Sequence, residues 1–378
     1  MVAGGFIPPP YPYDRLDELR AVADGFEGGC VDLSIGAPSD PPPVEAVAAL
    51  SASNAERGYP ASIGSRRYRD AAMGWLSRRF GIEADDAAVA ACVGTKEFVA
   101  SLPRFLHLRD LSRDTVLYPA VSYPTYAMGA ALAGCRAVAV PVDRRWRLDL
   151  AAIDPDDAAR SLCLWVNTPG NPAGGLEDLA AIAQWGREHR VPVLSDECYI
   201  EFTWGAAAAS ILHHGASGVV AVYSLSKRSN LAGIRAGFYA GDPDLVGYLS
   251  EVRKHAGMMV PGPVQAAAAA ALGDDAHVDA QRAVYRSRLN RLREIFSVYD
   301  PEAALPGGGL YLWVAAPDGD GWALARRAAG EIGALVSPGE FYGPSGSGHI
   351  RVAAVAPESR IDLLEQRMAA RRGDTVGK

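Results

Sequence analysis

The chain has 378 residues, enough to bury a large core and to form two domains. Hydrophobic residues make up 49% of it and charged residues 21%, the balance of an ordinary soluble enzyme. Its net charge of −7 argues against nucleic acid or an anionic membrane as the main partner. An anionic ligand would therefore depend on local cations rather than on the overall field.

The cysteines and the N-terminus bear on where the protein works. The five cysteines are scattered and show no C-x-x-C spacing, so we expect buried thiols in a reducing cytoplasm and no metal site: Cys30, Cys92, Cys135, Cys163 and Cys198. The first residues lack a basic region followed by a long apolar run, which argues against a signal peptide. No stretch reaches about 18 apolar residues without a charge, so we expect no span of a bilayer.

The predicted elements of the first half follow an N-terminal arm at 6–13, where prolines prevent a continuous helix. Helices are predicted at 15–25, 43–51, 70–80 and from Gly94 to about Leu106. Strands are predicted at 31–35, 89–93, 115–118 and 138–141.

In the second half, strands are predicted at 161–166, 191–195, 219–222, 234–240 and 349–353, with another after the turn at 306–309. Helices are predicted at 176–189, 246–259, 266–272, 278–296 and 321–329. The glycines at 307–309 are not a dinucleotide-binding fingerprint, because no helix follows and the G-x-G-x-x-G spacing is absent.

The stretch Tyr223–Gly237, Y-S-L-S-K-R-S-N-L-A-G-I-R-A-G, carries the most chemistry. Lys227 follows a buried apolar strand, and an arginine comes eight residues later. A lone lysine after a strand is usually a solvated surface charge. Apolar runs and flanking hydroxyls instead suit an anion held beside an amine that is sometimes neutral, because burial and nearby cations favour the neutral form.

This stretch resembles the lysine segment of class I/II aminotransferases, a fold-type I family that depends on pyridoxal 5′-phosphate. The resemblance is carried by S-x-S-K-x7-R and the closing G-x-R-A-G. It implies that Lys227 holds the cofactor aldehyde as an imine. It also implies that Ser224, Ser226 and Arg235 lie at the cofactor, with Ser224 and Arg235 on its phosphate.

Two further segments match the parts of that family that contact the cofactor. Gly94, Thr95 and Lys96 precede Glu97 as in the family's phosphate turn, where free N–H groups at a helix N-terminus can grip an anion. Many ordinary strand–helix turns look the same. An aromatic side chain after the strand at 115–118 could stack on the pyridine ring. Counting back ten residues from Ala133-Gly134, the turn after the next predicted helix, favours Tyr123 over Tyr126.

The ends of two more predicted strands supply polar groups. The resemblance places Asn171, in N-T-P-G-N-P-A-G, at the ring oxygen O3′ together with Tyr199. Ala173 stands where the family has threonine. Asp196 would pair with the protonated ring nitrogen, and the alternative is that it caps a helix. At about 3 Å, such a pair is worth on the order of 5 kcal/mol before desolvation at an effective dielectric of about 20.

The remaining assignments concern the substrate and a second subunit. The resemblance assigns Gly36, Asn171 and Arg351 to the substrate, with Arg351 forking its α-carboxylate. A water-facing edge strand is the other interpretation of Arg351. Tyr59 lies in a segment similar to the family pattern Y-x4-G-x3-L-R, with Tyr68 in the place of leucine. It would reach the cofactor phosphate of the neighbouring subunit in a homodimer.

By this resemblance Lys227, Asp196 and Tyr199 are the catalytic residues, and amino-acid and 2-oxo-acid substrates react in turn. Several segments, including S-D-E-C-Y, are similar to the actinobacterial type of N-succinyl-diaminopimelate aminotransferase of lysine biosynthesis, with glutamate and 2-oxoglutarate as the other pair. The N-succinyl substrate of that enzyme carries a distal carboxylate, so we expect further cations at the site. Arg228, Arg253 and Lys254 are the candidates. The open alternatives are other amino acids, including aspartate, aromatic or secondary-metabolite substrates.

The fold that the resemblance implies is α/β. A large cofactor-binding domain at 44–273 would hold a mostly parallel, seven-stranded type of sheet. Residues 274–378 would form a smaller α+β domain, and residues 1–43 would form the N-terminal arm and part of that small domain. A lyase of the same fold would share every cofactor residue. A transcriptional regulator with an aminotransferase-like domain is disfavoured, since only about thirty residues precede the first strand, with no basic helix pair.

Overall fold

The computed structural model describes residues 6–376, and its helices interrupt the strands along most of the chain. The helices are α1 (Asp17–Asp24), α2 (Val44–Ser51), α3 (Arg66–Phe80), α4 (Thr95–Arg109), α5 (Thr125–Leu132), α6 (Pro155–Ala159), α7 (Leu179–His189), α8 (Leu225–Arg228), α9 (Pro243–His255), α10 (Gly262–Gly273), α11 (Ala276–Phe296), α12 (Gly321–Ile332) and α13 (Glu358–Val376).

The strands are β1 (Val31–Asp32), β2 (Val89–Cys92), β3 (Thr115–Pro119), β4 (Arg136–Val140), β5 (Ser161–Asn167), β6 (Val193–Asp196), β7 (Val219–Ser224), β8 (Gly237–Gly241), β9 (Tyr311–Ala315), β10 (Ala334–Leu335), β11 (Ser337–Pro338) and β12 (His349–Ala353). Seven of them form one sheet in the order β2-β8-β7-β6-β5-β3-β4. Six of them run in one direction, and β8 runs opposite to them. This confirms the predicted α/β class and the mostly parallel sheet.

Both faces of the large sheet are buried, which explains why its strands are continuous apolar runs. Successive residues of β7 alternate between two hydrophobic clusters: Val219, Ala221 and Tyr223 pack on one face, and Val220 and Val222 on the other. Parallel strands with helices on both sides show this composition because neither face meets water.

A third hydrophobic cluster joins the N-terminal segment to the C-terminal part of the chain. Strands β11, β12 and β9 form an antiparallel sheet, and β1 pairs with β10 in parallel. Leu16 and Val31 of the N-terminal segment share one apolar cluster with Leu312 and Ile350. The arm therefore packs on the C-terminal part of the protein, while the domain bounds at 43 and 273 stay a prediction.

The bounds of several elements differ from the predictions for local reasons. The strand predicted at 31–35 is paired only at Val31–Asp32. The strand predicted at 234–240 begins at Gly237, because Arg235 has φ of 58°, which extended backbone cannot include. Helix α9 starts three residues before the predicted 246, where the Asp242 side chain accepts hydrogen bonds from the N–H groups of residues 244 and 245.

The topology brings the predicted polar residues to one edge of the large sheet. Strands β3, β5, β6 and β7 are parallel, so the segments after their carboxyl ends meet there. Because β8 is antiparallel to β7, its first residue lies at the same edge, and the segment before it also reaches this edge.

Candidate active site

A cavity of about 400 Å³ lies at this edge, between the large sheet and the three-stranded sheet. Twelve of the fourteen predicted site residues line it: Gly36, Thr95, Lys96, Tyr123, Asn171, Asp196, Tyr199, Ser224, Ser226, Lys227, Arg235 and Arg351. Gly94 lies directly behind Arg235. Tyr59 is 98% exposed and does not line the cavity.

Lys227 is presented by the short helix α8, which begins where β7 ends. The Ser224 hydroxyl caps that helix by accepting a hydrogen bond of 3.1 Å from the N–H of Ser226. The Lys227 Nζ donates to the carbonyl oxygen of Gly36. Burial lowers the pKa of Lys227 to about 8, and the charges of Arg351 and Arg235 act in the same direction. The amine is therefore partly neutral near physiological pH, as a nucleophile or proton carrier requires.

Asp196 ends β6 as a buried carboxylate. Its Oδ2 accepts a hydrogen bond of 2.9 Å from the Tyr126 hydroxyl, and its Oδ1 accepts one of 3.2 Å from the N–H of Cys198. No lysine or arginine of the described residues 6–376 lies within 4.0 Å of it. Burial raises the pKa of Asp196. A carboxylate in this position gains most from a cationic ligand atom, such as a protonated ring nitrogen.

The opposite end of the cavity offers donors for a dianion. Helix α4 begins at Thr95 and points its free N–H groups toward it. The Arg235 guanidinium lies beside Gly94, where an added Cβ would come within 2.4 Å of Nη2. Gly94 also has φ of 75°, which disfavours other residues. Close backbone, a helix N-terminus and a guanidinium together suit a phosphate.

Arg351 comes from the three-stranded sheet. It lies in β12, the central strand of that sheet, and is 2% exposed, so the alternative of a water-facing edge strand is wrong. Its guanidinium donates to Asn171 Oδ1 at 2.8 Å and to the Ser34 carbonyl oxygen at 2.6 Å. Its buried Nε has no partner among the described residues. An anion of carboxylate size fits this unsatisfied donor.

The two aromatic candidates after β3 have different places. Tyr123 lines the cavity. Tyr126 is fully buried behind it, stacks on Trp165 at a ring distance of 5.2 Å, and holds Asp196 through its hydroxyl. The position of Tyr123 agrees with the preference for it over Tyr126, and its stacking on a ring stays a prediction.

The three cations suggested for a distal carboxylate do not line the cavity. Arg253 makes two hydrogen bonds to Glu97, at 2.9 and 2.6 Å. Arg228 is buried against Trp75 and donates to the Ala271 carbonyl oxygen. Lys254 lies at the surface, 3.7 Å from Glu251. The structure therefore does not support these three cations as substrate contacts. Acidic or carbonyl partners that are remote in sequence already bind the two arginines, and Lys254 lies away from the cavity.

The structure adds four residues that the sequence interpretation did not assign. Tyr13 of the arm contacts Arg351 Nη2 at 3.2 Å, and Tyr11 lies beside Lys96, 3.4 Å from its Nζ. Tyr311 packs under Arg351. Cys198 lines the cavity with its Sγ 3.3 Å from Thr95 Oγ1. The proline- and tyrosine-rich arm was the available signal for the first pair. The expectation of buried cysteines is confirmed for Cys92 and Cys163 and is wrong for Cys30, Cys135 and Cys198, which are half-buried.

The described chain gives no sign of a metal centre or a membrane span. No cluster of three or more histidine, cysteine or acidic side chains in it could hold a metal ion. None of its described helices is long and apolar enough to cross a membrane.

The sequence matches the family Aminotransferase class I and II over residues 29–366. The chain therefore belongs to the class I and II aminotransferases, which are enzymes of fold type I that depend on pyridoxal 5′-phosphate. The resemblance deduced from the lysine segment is confirmed. The buried Asp196, the arrangement of Gly94 beside Arg235 and the low-pKa Lys227 all fit that cofactor.

Individual relatives differ in the activities that their names carry. A probable aminotransferase of Mycobacterium tuberculosis is 42% identical over 366 residues, covering 93% of this chain and 83% of that protein. The 4-dedimethylamino-4-oxo-anhydrotetracycline transaminase OxyQ of Streptomyces rimosus is 39% identical over 368 residues, covering 95% and 99% of the two chains.

Solved structures give the same picture of the fold. An aminotransferase from Neisseria meningitidis superposes with a TM-score of 0.88 at 27% identity, covering 96% of this chain and 98% of that one. A probable N-succinyldiaminopimelate aminotransferase from Thermus thermophilus superposes with a TM-score of 0.84 at 28% identity, covering 95% and 100%.

Proposed function

We propose that this aminotransferase exchanges an amino group between N-succinyl-LL-2,6-diaminopimelate and 2-oxoglutarate, the glutamate-linked reaction of lysine biosynthesis. The observation that carries the proposal is a pair of cations on different walls of the cavity. Arg351 is buried inside it, and Lys96 is exposed beside Tyr11. Asp196 is the one carboxylate among the residues that line the cavity. A substrate with an α-carboxylate and a distal carboxylate matches that arrangement of charge.

The cofactor, when bound, supplies an aldehyde that links to amines and a ring that takes up the electrons of a broken Cα–H bond. We assign its phosphate to the backbone N–H groups of Gly94, Thr95 and Lys96 at the N-terminus of α4, and to Ser224, Ser226 and Arg235, which leaves the Lys96 side chain free for the substrate. We assign its ring nitrogen to Asp196, its ring face to Tyr123, and its O3′ to Asn171 and Tyr199.

Lys227 is the proposed proton carrier. With a pKa lowered to about 8, its amine can accept a proton from the substrate Cα and return it to a neighbouring carbon without a large energetic penalty. Its contact with the Gly36 carbonyl oxygen directs the amine toward Gly36, one of the proposed substrate contacts. Asp196 favours a protonated ring nitrogen throughout, which keeps the ring able to take up charge.

Arg351, Asn171 and Gly36 are the proposed substrate contacts. The Arg351 guanidinium is already oriented by Asn171, Ser34 and Tyr13, so binding a carboxylate requires little further ordering. Fixing the carboxylate also fixes the direction of the Cα–H bond relative to Lys227. Ground-state binding and orientation thus depend on the same side chain.

We further propose a homodimer in the cytoplasm, in which Tyr59 reaches the cofactor phosphate of the partner. Tyr59 is 98% exposed in the single chain, and Val44 and Ile7 are also largely exposed at 76% and 85%. Exposed large apolar side chains on the arm and on α2 suit an interface between copies. The five cysteines are all free, which fits a reducing compartment.

Steady-state kinetics of the purified holoenzyme test the substrate. N-succinyl-LL-2,6-diaminopimelate should give a higher kcat/KM than LL-diaminopimelate, aspartate or aromatic amino acids, with 2-oxoglutarate as acceptor. A preference of about a hundredfold or more for an aromatic or aliphatic amino acid would overturn the assignment.

A second candidate follows from the relative OxyQ, whose name describes a transaminase acting on an oxo-anhydrotetracycline. Five tyrosines line the cavity of this chain, which also suits a flat polycyclic ketone: Tyr11, Tyr13, Tyr123, Tyr199 and Tyr311. Such a substrate would not need the distal cation.

Replacing Lys96 separates the two candidates. For a dicarboxylate substrate, K96M should raise KM by about tenfold with a smaller effect on kcat, because one charged contact is lost. K254M is the matched control, since Lys254 is exposed and pairs only with Glu251 in the described chain. An unchanged KM for N-succinyl-LL-2,6-diaminopimelate in K96M would favour the polycyclic ketone.

A further inference from the structure

Tyr311 occupies a position between the two halves of the site. It is the first residue of β9, pairs across from Ala353 of β12, and is 2% exposed. Arg351 pairs across from Trp313, so Tyr311 is its diagonal neighbour on the same face of the sheet. The antiparallel register therefore places this ring against the arginine.

Tyr311 contacts both Arg351 and Tyr199. The Arg351 Cζ lies 4.1 Å from the centre of the Tyr311 ring. The Tyr311 hydroxyl lies 2.8 Å from the Tyr199 hydroxyl, with the rings edge to face. Gly36 packs so closely that an added Cβ would come within 2.0 Å of the Tyr311 hydroxyl oxygen. The side chain thus has one preferred place.

We propose that Tyr311 is a positioning residue that connects Arg351 to the Tyr199 hydroxyl, so that a carboxylate bound to Arg351 changes the hydrogen bond that Tyr199 gives to the cofactor. This inference rests on the proposed roles of Arg351 and Tyr199. No contact of Tyr311 with the reacting atoms is required.

The hydrogen-bond chemistry fixes the direction of the link. A phenol has one proton to donate and can also accept, so a Tyr199 that donates to the cofactor O3′ accepts from Tyr311. Burial raises the pKa of Tyr311, and the Arg351 charge beside the ring opposes that rise. The guanidinium therefore makes Tyr311 a better donor, and Tyr311 strengthens Tyr199 in turn.

A carboxylate at Arg351 cancels much of its charge at the Tyr311 ring, because two opposite charges in contact leave only a dipole. The donation from Tyr311 to Tyr199, and from Tyr199 to O3′, then weakens. The titratable groups that face Tyr311 are Arg351, Tyr199, Tyr13, Cys198 and Tyr285. Of these, Arg351 is the permanent cation.

Tyr342 provides a matched comparison. Its ring is also close to Arg351, with 4.7 Å between the ring centre and Cζ. Its hydroxyl, however, pairs with Tyr13 at 3.0 Å and not with Tyr199. Y342F therefore removes the hydroxyl of another tyrosine beside Arg351 and leaves the contact between Tyr311 and Tyr199 unchanged.

The test is the pH titration of the visible absorbance of the lysine-bound cofactor in the holoenzymes of wild type, Y199F, Y311F and Y342F. A donor on O3′ draws negative charge away from the neighbouring nitrogen and lowers the pH at which that nitrogen loses its proton. Removing the donor raises the midpoint. We expect Y199F to raise it by about one unit, Y311F by roughly a third of that, and Y342F by nothing measurable.

Glutarate, an unreactive dicarboxylate, probes the coupling directly. It should raise the midpoint of the wild type, and this shift should shrink in Y311F while its dissociation constant changes by about twofold or less. Y311L, which removes the ring from Arg351, should weaken glutarate about tenfold. Y311F retains the ring and removes only the hydroxyl, so it serves where Y311L does not fold.

The outcomes separate this inference from the proposed site. A Y311F midpoint equal to that of the wild type, alongside a shifted Y199F, overturns the role of Tyr311 and leaves the site intact. An unshifted Y199F instead refutes the proposed role of Tyr199. A Y342F shift as large as that of Y311F also overturns the link, because the effect would then be general to the phenols around Arg351.

Discussion

Burial and two nearby guanidinium groups oppose the charge of the Lys227 ammonium. Burial, Arg351 and Arg235 all lower its pKa, which falls from 10.5 to about 8. The two arginines serve anion binding in the proposed site, so the cations that would hold the phosphate and the carboxylate also prepare the amine. One local arrangement thus has two chemical effects.

This pKa shift has a consequence for stability. Below pH 8 both the folded and the unfolded chain carry the proton, and the cost of the buried charge is fully present. Between pH 8 and 10.5 the folded protein has released a proton that the unfolded chain still binds, so stability rises with pH through that window.

We therefore expect urea unfolding of the cofactor-free protein to show a gain between about pH 7.5 and about pH 9.5 that K227M lacks, on the order of 1–2 kcal/mol. K254M, which changes an exposed lysine, should keep the gain. Equal pH dependence in wild type and K227M would contradict the burial of this charge.

At the scale of elements, the turn between β2 and α4 joins the cofactor cradle to the sheet. Replacing Gly94 by alanine imposes a side chain at φ of 75° and within 2.4 Å of Arg235 Nη2. The guanidinium must then move away from the N-terminus of α4. Cofactor affinity should fall by about tenfold or more, since a charged hydrogen bond to phosphate is worth about 1.5–3 kcal/mol.

Gly81 supplies the control for that variant. It ends α3 at φ of 68°, and an added Cβ there meets nothing within 4 Å. G81A should lower Tm through backbone strain alone, without changing the dissociation constant of pyridoxal phosphate. Cofactor binding by G94A as tight as by G81A would show that Arg235 tolerates the displacement.

The elements also show what the sequence could and could not predict. Apolar runs such as Val219–Val222 predicted buried strands, because both sides of the sheet are covered. The strand after Arg235 was placed too early, since a positive φ leaves no mark on hydrophobicity. Arg253 is a candidate substrate contact in the sequence because nothing local shows that Glu97, 156 residues away, accepts both of its hydrogen bonds.

The site itself was predictable where a residue follows a strand and carries unusual chemistry. Asp196 and Lys227 belong to this group. Tyr13 and Tyr311 do not, because they reach the cavity through tertiary packing of the arm and of the three-stranded sheet. In the sequence, an aromatic residue in such a segment cannot be distinguished from an ordinary core residue. Only the folded chain shows which residues it contacts.

At the scale of the whole molecule, the position of Tyr59 predicts shared active sites. Mixing K227M with Y59A subunits would create hybrid dimers in which one site has both Lys227 and the partner's tyrosine. At limiting cofactor, random exchange should restore about a quarter of wild-type activity, since half the dimers are hybrids with one complete site.

A matched experiment mixes K227M with a double variant that carries both K227M and Y59A, which should restore nothing because no site has the lysine. Activity of the first mixture that stays at the average of its parents would mean that Tyr59 does not act across the interface. Size-exclusion chromatography of each variant checks that dimers form.

Arg351 belongs to the three-stranded sheet, whereas Lys227 lies in α8, directly after β7 of the large sheet. The spacing between the carboxylate anchor and the amine is therefore a property of how the two sheets sit together, and neither sheet defines it alone. On the proposed roles, that spacing fits a substrate in which one carbon separates the carboxylate from the amino group. β-Amino acids, which insert a second carbon, would hold the wrong C–H bond over Lys227 and should bind as inhibitors rather than react.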